Sequence, residues 1–295
     1  MRAGFLEALQ QPGQGRQRIV IAAELRPPRA ELGTHAGMGA WIDTYHAVRA
    51  LTRRDTFVCL TDSAVGAPEE DNLRHLVANL GQDVDRSRIV PFLTSKHTMA
   101  FCLAYAARAR QHGFQGLVVL GGDKAVGAPR CVEHAWQLRK AIREVEPELR
   151  LGGWANPHHD PASQVGYLLD GDATADFYLT QIVSHHHRAN VGAFLAEASR
   201  HGLSIPGVFG VFYYRSANAK TLRILGDFMP VPAEGLSAEF AAGDTPVDIC
   251  ARTIRTLVDE GARAFYISNL PLVRTQATLQ AILDAAGVGE HASSR

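Results

Sequence analysis

Short apolar runs alternate with amphipathic stretches almost from end to end of the chain. Eight runs, RIVIAAE (18–24), TFVCL (56–60), RIVPFL (88–93), GLVVLG (116–121), LRLGGW (149–154), DFYLTQ (176–181), GVFGVF (207–212) and RAFYIS (263–268), are rich in Val, Ile and Phe. They are continuously apolar more than alternating, as parallel strands covered on both faces are. Between them apolar residues recur at helical spacing: Trp41, Tyr45 and Val48; Leu73, Leu76, Val77 and Leu80; Ala135, Leu138, Ile142 and Val145; Val247, Cys250, Ile254 and Leu257. The acidic run Glu69-Glu70-Asp71 suits the start of the second of these helices. Gly81, Gly113, Gly202 and Gly261 follow helical stretches, where a C-terminal cap is expected.

Eight strand–helix units in 295 residues predict a single-domain (β/α)8 TIM barrel, an α/β fold, over 18–288. Residues 1–17 read as an N-terminal arm and 289–295 as a C-terminal tail. The stretch PVPAEGLSAEFAAGDTP (230–246) reads as a loop insertion in the seventh unit. A doubly wound open sheet is the runner-up, but no GxGxxG follows the first strand.

Composition narrows the partners. Hydrophobic residues make up 46% and charged ones 20%, enough to bury a full core. Thirty Lys and Arg balance thirty Asp and Glu, so no basic excess points to nucleic acid or an anionic membrane. Nothing resembles a signal peptide or an apolar bilayer span, and Cys59, Cys102, Cys131 and Cys250 are widely spaced with no CxxC pair. These features fit a cytoplasmic protein with reduced thiols that acts on small molecules.

In such barrels the active site lies at the C-terminal strand ends. Those ends carry Glu24; Thr61 and Asp62; Thr94, Ser95, Lys96 and His97; Asp123 and Lys124; Asn156, His158, His159 and Asp160; Gln181 and His185–His187; Tyr213, Tyr214 and Arg215; Ser268 and Asn269. Glu24 ends an apolar strand, and apolar neighbours raise a carboxyl pKa toward the range of a general acid. A rim carboxylate paired to Arg26 is the plain alternative. Gly121-Gly122-Asp123 either lets a ligand approach the backbone beside a carboxylate or makes a tight turn. The Gln181 amide either offers a donor and an acceptor to a heterocyclic amide such as a pterin or serves the backbone. His158-His159-Asp160 and His185–His187 lie at adjacent strand ends and could converge, but no HxH follows the first strand. No metal site is expected.

Several short motifs resemble the methylenetetrahydrofolate reductase family in order and spacing. Ala23-Glu24-Leu25-Arg26-Pro27-Pro28 is similar to its Glu-Phe-Phe-Pro-Pro opening, and Phe57-Val58-Cys59-Leu60-Thr61 to its second strand. Pro91-Phe92-Leu93-Thr94 resembles Pro-His-Leu-Thr, and Leu120-Gly121-Gly122-Asp123 resembles Leu-Arg-Gly-Asp. Asn156-Pro157 with Asp160-Pro161 resembles Tyr-Pro-Glu-x-His-Pro, and Leu179-Thr180-Gln181 resembles Ile-Thr-Gln. Ala264-Phe265-Tyr266 followed by Asn269 resembles the closing His-Phe-Tyr-Thr-Leu-Asn.

The resemblance implies reduction of 5,10-methylenetetrahydrofolate to 5-methyltetrahydrofolate with hydride from NADH or NADPH. It makes Glu24 the general acid and has Asp123 stabilise the cationic intermediate. It assigns Gln181, with Thr94, Asn156 and Asn269, to the folate, and Thr61, Gly121, Gly122 and His158 to the cofactor. The family carries FAD as a relay, yet Phe92, Gly121, Asn156 and His158 depart from its flavin-contacting positions. Losing an Arg at 121 removes a phosphate clamp. Hydride is therefore expected to pass directly from the nicotinamide, FAD being doubtful. Lys96, Arg215 and the histidine clusters are candidates for the nicotinamide phosphates or the glutamate tail. An ordinary FAD-dependent reductase, a non-catalytic folate-binding barrel subunit and a metal-dependent hydrolase remain as alternatives, and a homo-oligomer is open.

Overall fold

The computed structural model describes residues 3–11, 19–28, 32, 34–63, 72–81, 84–170, 172 and 174–288. Helix α1 (Phe5–Gln10) precedes β1 (Val20–Leu25), α2 (Thr34–Thr52), β2 (Phe57–Leu60), α3 (Asn72–Asn79), β3 (Ile89–Thr94) and α4 (Met99–Gln111). Then come β4 (Gly116–Leu120), α5 (Ala135–Val145), β5 (Arg150–Ala155), α6 (Pro161–Leu169), β6 (Phe177–Val183) and α7 (Arg188–Arg200). The last units are β7 (Gly207–Phe212), α8 (Ala219–Gly226), α9 (Ala233–Ala241), α10 (Pro246–Asp259), β8 (Ala264–Ser268) and α11 (Thr275–Ala286). All neighbouring strands are parallel, and β1 pairs with both β2 and β8, closing a (β/α)8 barrel as expected.

Two apolar sets explain why the strands read as unbroken apolar runs. Ala22, Cys59, Val90, Val118, Leu179, Val208 and Tyr266 pack inside the barrel. Ala23, Val58, Ile89, Leu117, Leu151, Val211 and Phe265 pack outward against the helices. The strands alternate between them, save at the top of β6 where Leu179 and Ile182 both pack inside, so elsewhere residue parity tells which side chains face the barrel axis. Helix starts follow local chemistry. Thr98 Oγ1 accepts from Phe101 N–H to open α4, Asp160 caps α6 ahead of Pro161, and Thr245 with Asp248 forms a reciprocal cap on α10 ahead of Pro246. Gly113, Gly202 and Gly261 take the positive φ of helix C-caps. The acidic run 69–71 and the tail 289–295 lie outside the described residues, as do 1, 2 and 12–17 of the arm.

Two expectations about segments are corrected. The arm 1–17 is not only an arm: α1 closes the N-terminal end of the barrel. Phe5 is buried, with its ring edge-on to Phe57 at 5.0 Å and to Phe177 at 5.3 Å. Beside it the buried Arg88 guanidinium lies 4.2 Å above the Phe57 ring and pairs with Asp55 at 2.9 Å. The stretch 230–246 is not a loop but contains α9. Leu236 and Phe240, at i and i+4, bring one face of that helix onto the inner apolar cluster beside Ile249. Its Gly and Pro content obscures that short helical period. At Gly235 a Cβ would meet the His186 ring at 2.3 Å, so glycine lets α9 settle on the end of β6.

Candidate functional site

Glu24 is the inward residue at the top of β1, paired in register with the buried Cys59. Ser268, inward at the top of β8, donates its hydroxyl to Glu24 Oε1 at 2.7 Å. The carboxyl is half-buried, and desolvation raises its pKa above the usual carboxylate range. The Ser268 hydrogen bond and the charge of Arg26 pull the other way but are the lesser causes. No ion pair joins Glu24 to Arg26 or to any other described residue. A desolvated carboxyl held by one hydroxyl keeps its proton to higher pH than an exposed one and can give it up.

Gln181 sits near the top of β6, where the pairing with β7 shifts between Leu179 and Ile182. The Ile182 N–H donates to Gln181 Oε1 at 2.8 Å, leaving the amide NH2 without a partner among the described residues. The neighbouring backbone is clamped. Tyr266 donates its buried hydroxyl to the Thr180 carbonyl at 2.6 Å, and the Gly210 N–H donates to Thr180 Oγ1 at 3.0 Å. Gln181 is therefore held rigidly with its donor end free.

After β4, Gly122 has φ +73° and turns the chain into Asp123, whose Oδ1 accepts from the Ala125 N–H at 2.9 Å. The Arg130 guanidinium returns to this turn: a Cβ at Gly121 would lie 2.9 Å from its central carbon. It donates to the carbonyls of Gly122 and Glu133, pairs with no carboxylate among the described residues, and its buried Nε has no partner. Lys96 holds the same loop from the β3 side, donating to the Val126 and Ala128 carbonyls at 2.7 and 2.6 Å.

Several expected ligand-binding groups are instead engaged within the protein. Thr94 is 2% exposed, and Asp62 accepts both its N–H (2.8 Å) and its hydroxyl (2.9 Å). Asp62 also takes His97 Nε2 at 2.9 Å, and the His97 ring stacks on Phe101. Thr61 bonds the Leu25 carbonyl through its N–H and more loosely through its hydroxyl, zipping β2 to β1. Asn156 Oδ1 accepts from the His158 N–H at 3.1 Å. Asn269, with φ +66°, donates from its amide to the Tyr213 carbonyl at 3.0 Å, and its own carbonyl receives Arg215. Phe92 is buried in the inner apolar cluster.

The histidines divide into two groups. His158 bonds the Ile182 carbonyl at 2.8 Å, and its ring meets His187 edge-on at 4.6 Å. Desolvation lowers both pKa values, that of His187 to about 4 with help from the neighbouring histidines. His159 is exposed, and Asp160 is spent on capping α6. His185 and His186 turn the other way, onto Glu239 of α9 at 2.8 and 3.2 Å. These three place ligand atoms within 4.8 Å of one another, a spacing able to hold a metal ion. The Arg252 guanidinium sits on the same Glu239 carboxylate and competes for that role.

Three groups carry more of the site than sequence reading assigned them. Arg130 comes from a loop with no regular pattern. Tyr214, inward beyond β7, is 4% exposed with its hydroxyl buried and unpartnered. Trp154 lies on the inward face of β5, paired in register with Leu179, and is 37% exposed. Strand parity was the signal that could have found the last two. Two cavities of about 320 and 510 Å³ flank α1 at the opposite end of the barrel. Their walls hold none of the polar strand-end residues.

No family model matches the chain. It is 25% identical over 116 residues to a UPF0597 protein of Shewanella pealeana; the match covers 39% of this chain and 27% of that protein. Among solved structures it is similar, at 15% identity and a TM-score of 0.69, to an uncharacterized protein from Clostridium thermocellum that binds two copies of 5-methyl-5,6,7,8-tetrahydrofolic acid; the match covers 93% of this chain and 97% of that one. Tryptophan synthase from M. tuberculosis matches at 14% identity and a TM-score of 0.53, covering 97% of this chain and 100% of that chain. At these identities the likenesses establish the barrel fold.

Proposed function

We propose that this chain reduces 5,10-methylenetetrahydrofolate to 5-methyltetrahydrofolate with NADH or NADPH and without a flavin. The observation that carries the reading is the Glu24–Ser268 pair, a desolvated carboxyl of raised pKa at the strand ends of a closed barrel. The Clostridium thermocellum barrel that binds 5-methyltetrahydrofolate supports a folate as the ligand. So does the free amide donor of Gln181, which suits the carbonyl of a pterin.

In this reading Glu24 gives its proton to N10 as the bond from N10 to the bridging carbon breaks. The electron pair of that bond stays on N10, and a cation forms at N5 and the bridging carbon. Asp123 supplies fixed negative charge toward that cation. Gln181 orients the pterin, and Ser268 holds the Glu24 carboxyl in place before and after proton loss. A reduced nicotinamide, when bound, supplies the hydride that turns the bridging carbon into a methyl group. Arg130 suits its phosphates, being a guanidinium with no carboxylate partner beside the bare backbone of Gly121 and Gly122. Thr61 and His158 flank the same mouth.

Arg130 would suit the phosphates of FAD equally, so the spectrum of the protein decides. A colourless preparation that oxidises NADH with methylenetetrahydrofolate and no added flavin supports the proposal. A yellow protein absorbing near 450 nm, or activity only after FAD is added, restores the relay. Folate binding without any NADH or NADPH oxidation makes the chain a binding barrel instead.

A further inference from the structure

Trp154 is the anomaly of the barrel interior. At Gly152, two residues earlier on β5, a Cβ would meet the Phe177 ring at 2.6 Å and Val118 at 3.2 Å, so that position faces the barrel axis. At Gly153 a Cβ would meet Ala175 at 3.1 Å, on the helix side. Trp154 therefore points inward, above a layer already filled by Phe177 and Val118. Other large inward residues, such as Phe57, Phe92 and Tyr266, are buried in the inner cluster. Trp154 alone among the inward strand aromatics is 37% exposed, and its indole makes no hydrogen bond or ring contact among the described residues. It looks out of the mouth between the β4 end, with Asp123, and the β6 end, with Gln181.

A bare indole on a rigid strand costs free energy in water and offers a flat, polarisable face. Leu179, its register partner, leads into the stretch where β6 shifts register, which holds Gln181 with its unspent amide donor at the same strand end. A face to stack on and a donor at its edge together select a planar heterocycle that carries a carbonyl. We propose that Trp154 is the stacking platform for the pterin ring, with Gln181 bonding the ring's edge. This rests on the folate reading and names the residue that sets the substrate class within it. Glu24, Ser268 and Asp123 stand around the same mouth, so a ring on Trp154 is presented to the groups assigned to the chemistry.

The test titrates 5-methyltetrahydrofolate and, separately, NADH into the wild type, Trp154→Phe and Trp154→Leu by calorimetry, with tryptophan fluorescence in parallel. Aromatic stacking on a heterocycle corresponds to a loss of about 10- to 100-fold in affinity when the ring is removed. Trp154→Leu is expected to weaken the folate by that factor, leave NADH within about 2-fold and keep the wild-type melting temperature. Trp154→Phe retains a ring and is expected to stay within about 5-fold for the folate. The wild type should show fluorescence quenching by the folate that largely disappears in Trp154→Phe, since only Trp41 and Trp136 then remain. Folate affinity unchanged in Trp154→Leu overturns the platform while leaving the folate reading intact. Weakened NADH with unchanged folate assigns the indole to the nicotinamide and also overturns it. A wild type that does not bind the folate at all removes the folate reading and this inference together.

Discussion

Glu24→Gln is the most informative single substitution, because the structure separates its effect on folding from its effect on chemistry. Glutamine keeps the shape and an oxygen to accept the Ser268 hydroxyl, now 2.7 Å from Glu24 Oε1. It also removes a group whose burial disfavours its charge, so the fold should tolerate the change. What is lost is the transferable proton. General acid catalysis contributes about 10²–10⁴-fold, or roughly 3 to 5 kcal/mol of the barrier. Turnover of methylenetetrahydrofolate should fall by that factor while the dissociation constant of 5-methyltetrahydrofolate stays within about threefold. The pH profile gives a second, independent reading. A general acid works in its protonated form, so the rate is full below its pKa and falls as pH rises through it. Ser268→Ala removes a hydrogen bond that favours the ionised form. The Glu24 pKa must then rise, and the falling limb must move to higher pH. Near-wild-type turnover in Glu24→Gln, or a limb that moves to lower pH in Ser268→Ala, would refute the role given to this carboxyl.

Other expectations follow from the same geometry. Asp123→Asn keeps the oxygen that accepts from Ala125, so the turn should survive and turnover should drop by about 10- to 100-fold through lost charge alone; wild-type rates would make the Gly-Gly-Asp segment structural. Phe5→Ala empties the plug between Phe57 and Phe177 and should cost about 3 kcal/mol or more, roughly 5 °C in Tm for a chain of this length, with steady-state kinetics unchanged because the plug lies at the opposite end from Glu24. His187 is held neutral, its pKa lowered from 6.5 to about 4, so its contribution to stability is present above pH 6.5 and is lost as pH falls toward 4. That contribution is at most about 3 kcal/mol, less whatever solvent screening removes from this half-buried group. His187→Asn should flatten the dependence of the urea midpoint on pH in that window, and an unchanged slope would show that other groups carry it.

Most of the fold was legible because its information is local. Each of the eight strands appears within two residues of its expected bounds, since a run of Val, Ile and Phe between two helical periods admits few alternatives. Glu24, Gln181 and Asp123 could be named because their place at a strand end follows from the strand itself. Whether a polar side chain remains free could not be read, because that depends on partners distant in sequence. Thr94 is spent on Asp62, 32 residues away, and Asn269 on the Tyr213 carbonyl, 56 residues away. The role of α1 was illegible for the same reason. Its Phe5 is one aromatic among Gln and Gly until β2 and β6 supply Phe57 and Phe177.

The same distinction sorts the mouth into scaffold and working groups. Thr61, Thr94, Asn156, Asn269 and His158 use their hydrogen bonds to zip strands and shape turns, so binding through those atoms would have to break a bond already made. The Gln181 amide donor, the Arg130 Nε and the Trp154 face have no such bond to lose. Glu24 lies between these cases. Its one anchor, Ser268, fixes the carboxyl without neutralising it, and burial supplies the raised pKa. A salt bridge from Arg26 would have held Glu24 more firmly and lowered its pKa, removing its value as an acid. An apolar strand that ends in an acid beside a hydroxyl, with the nearby arginine left exposed, keeps both position and proton.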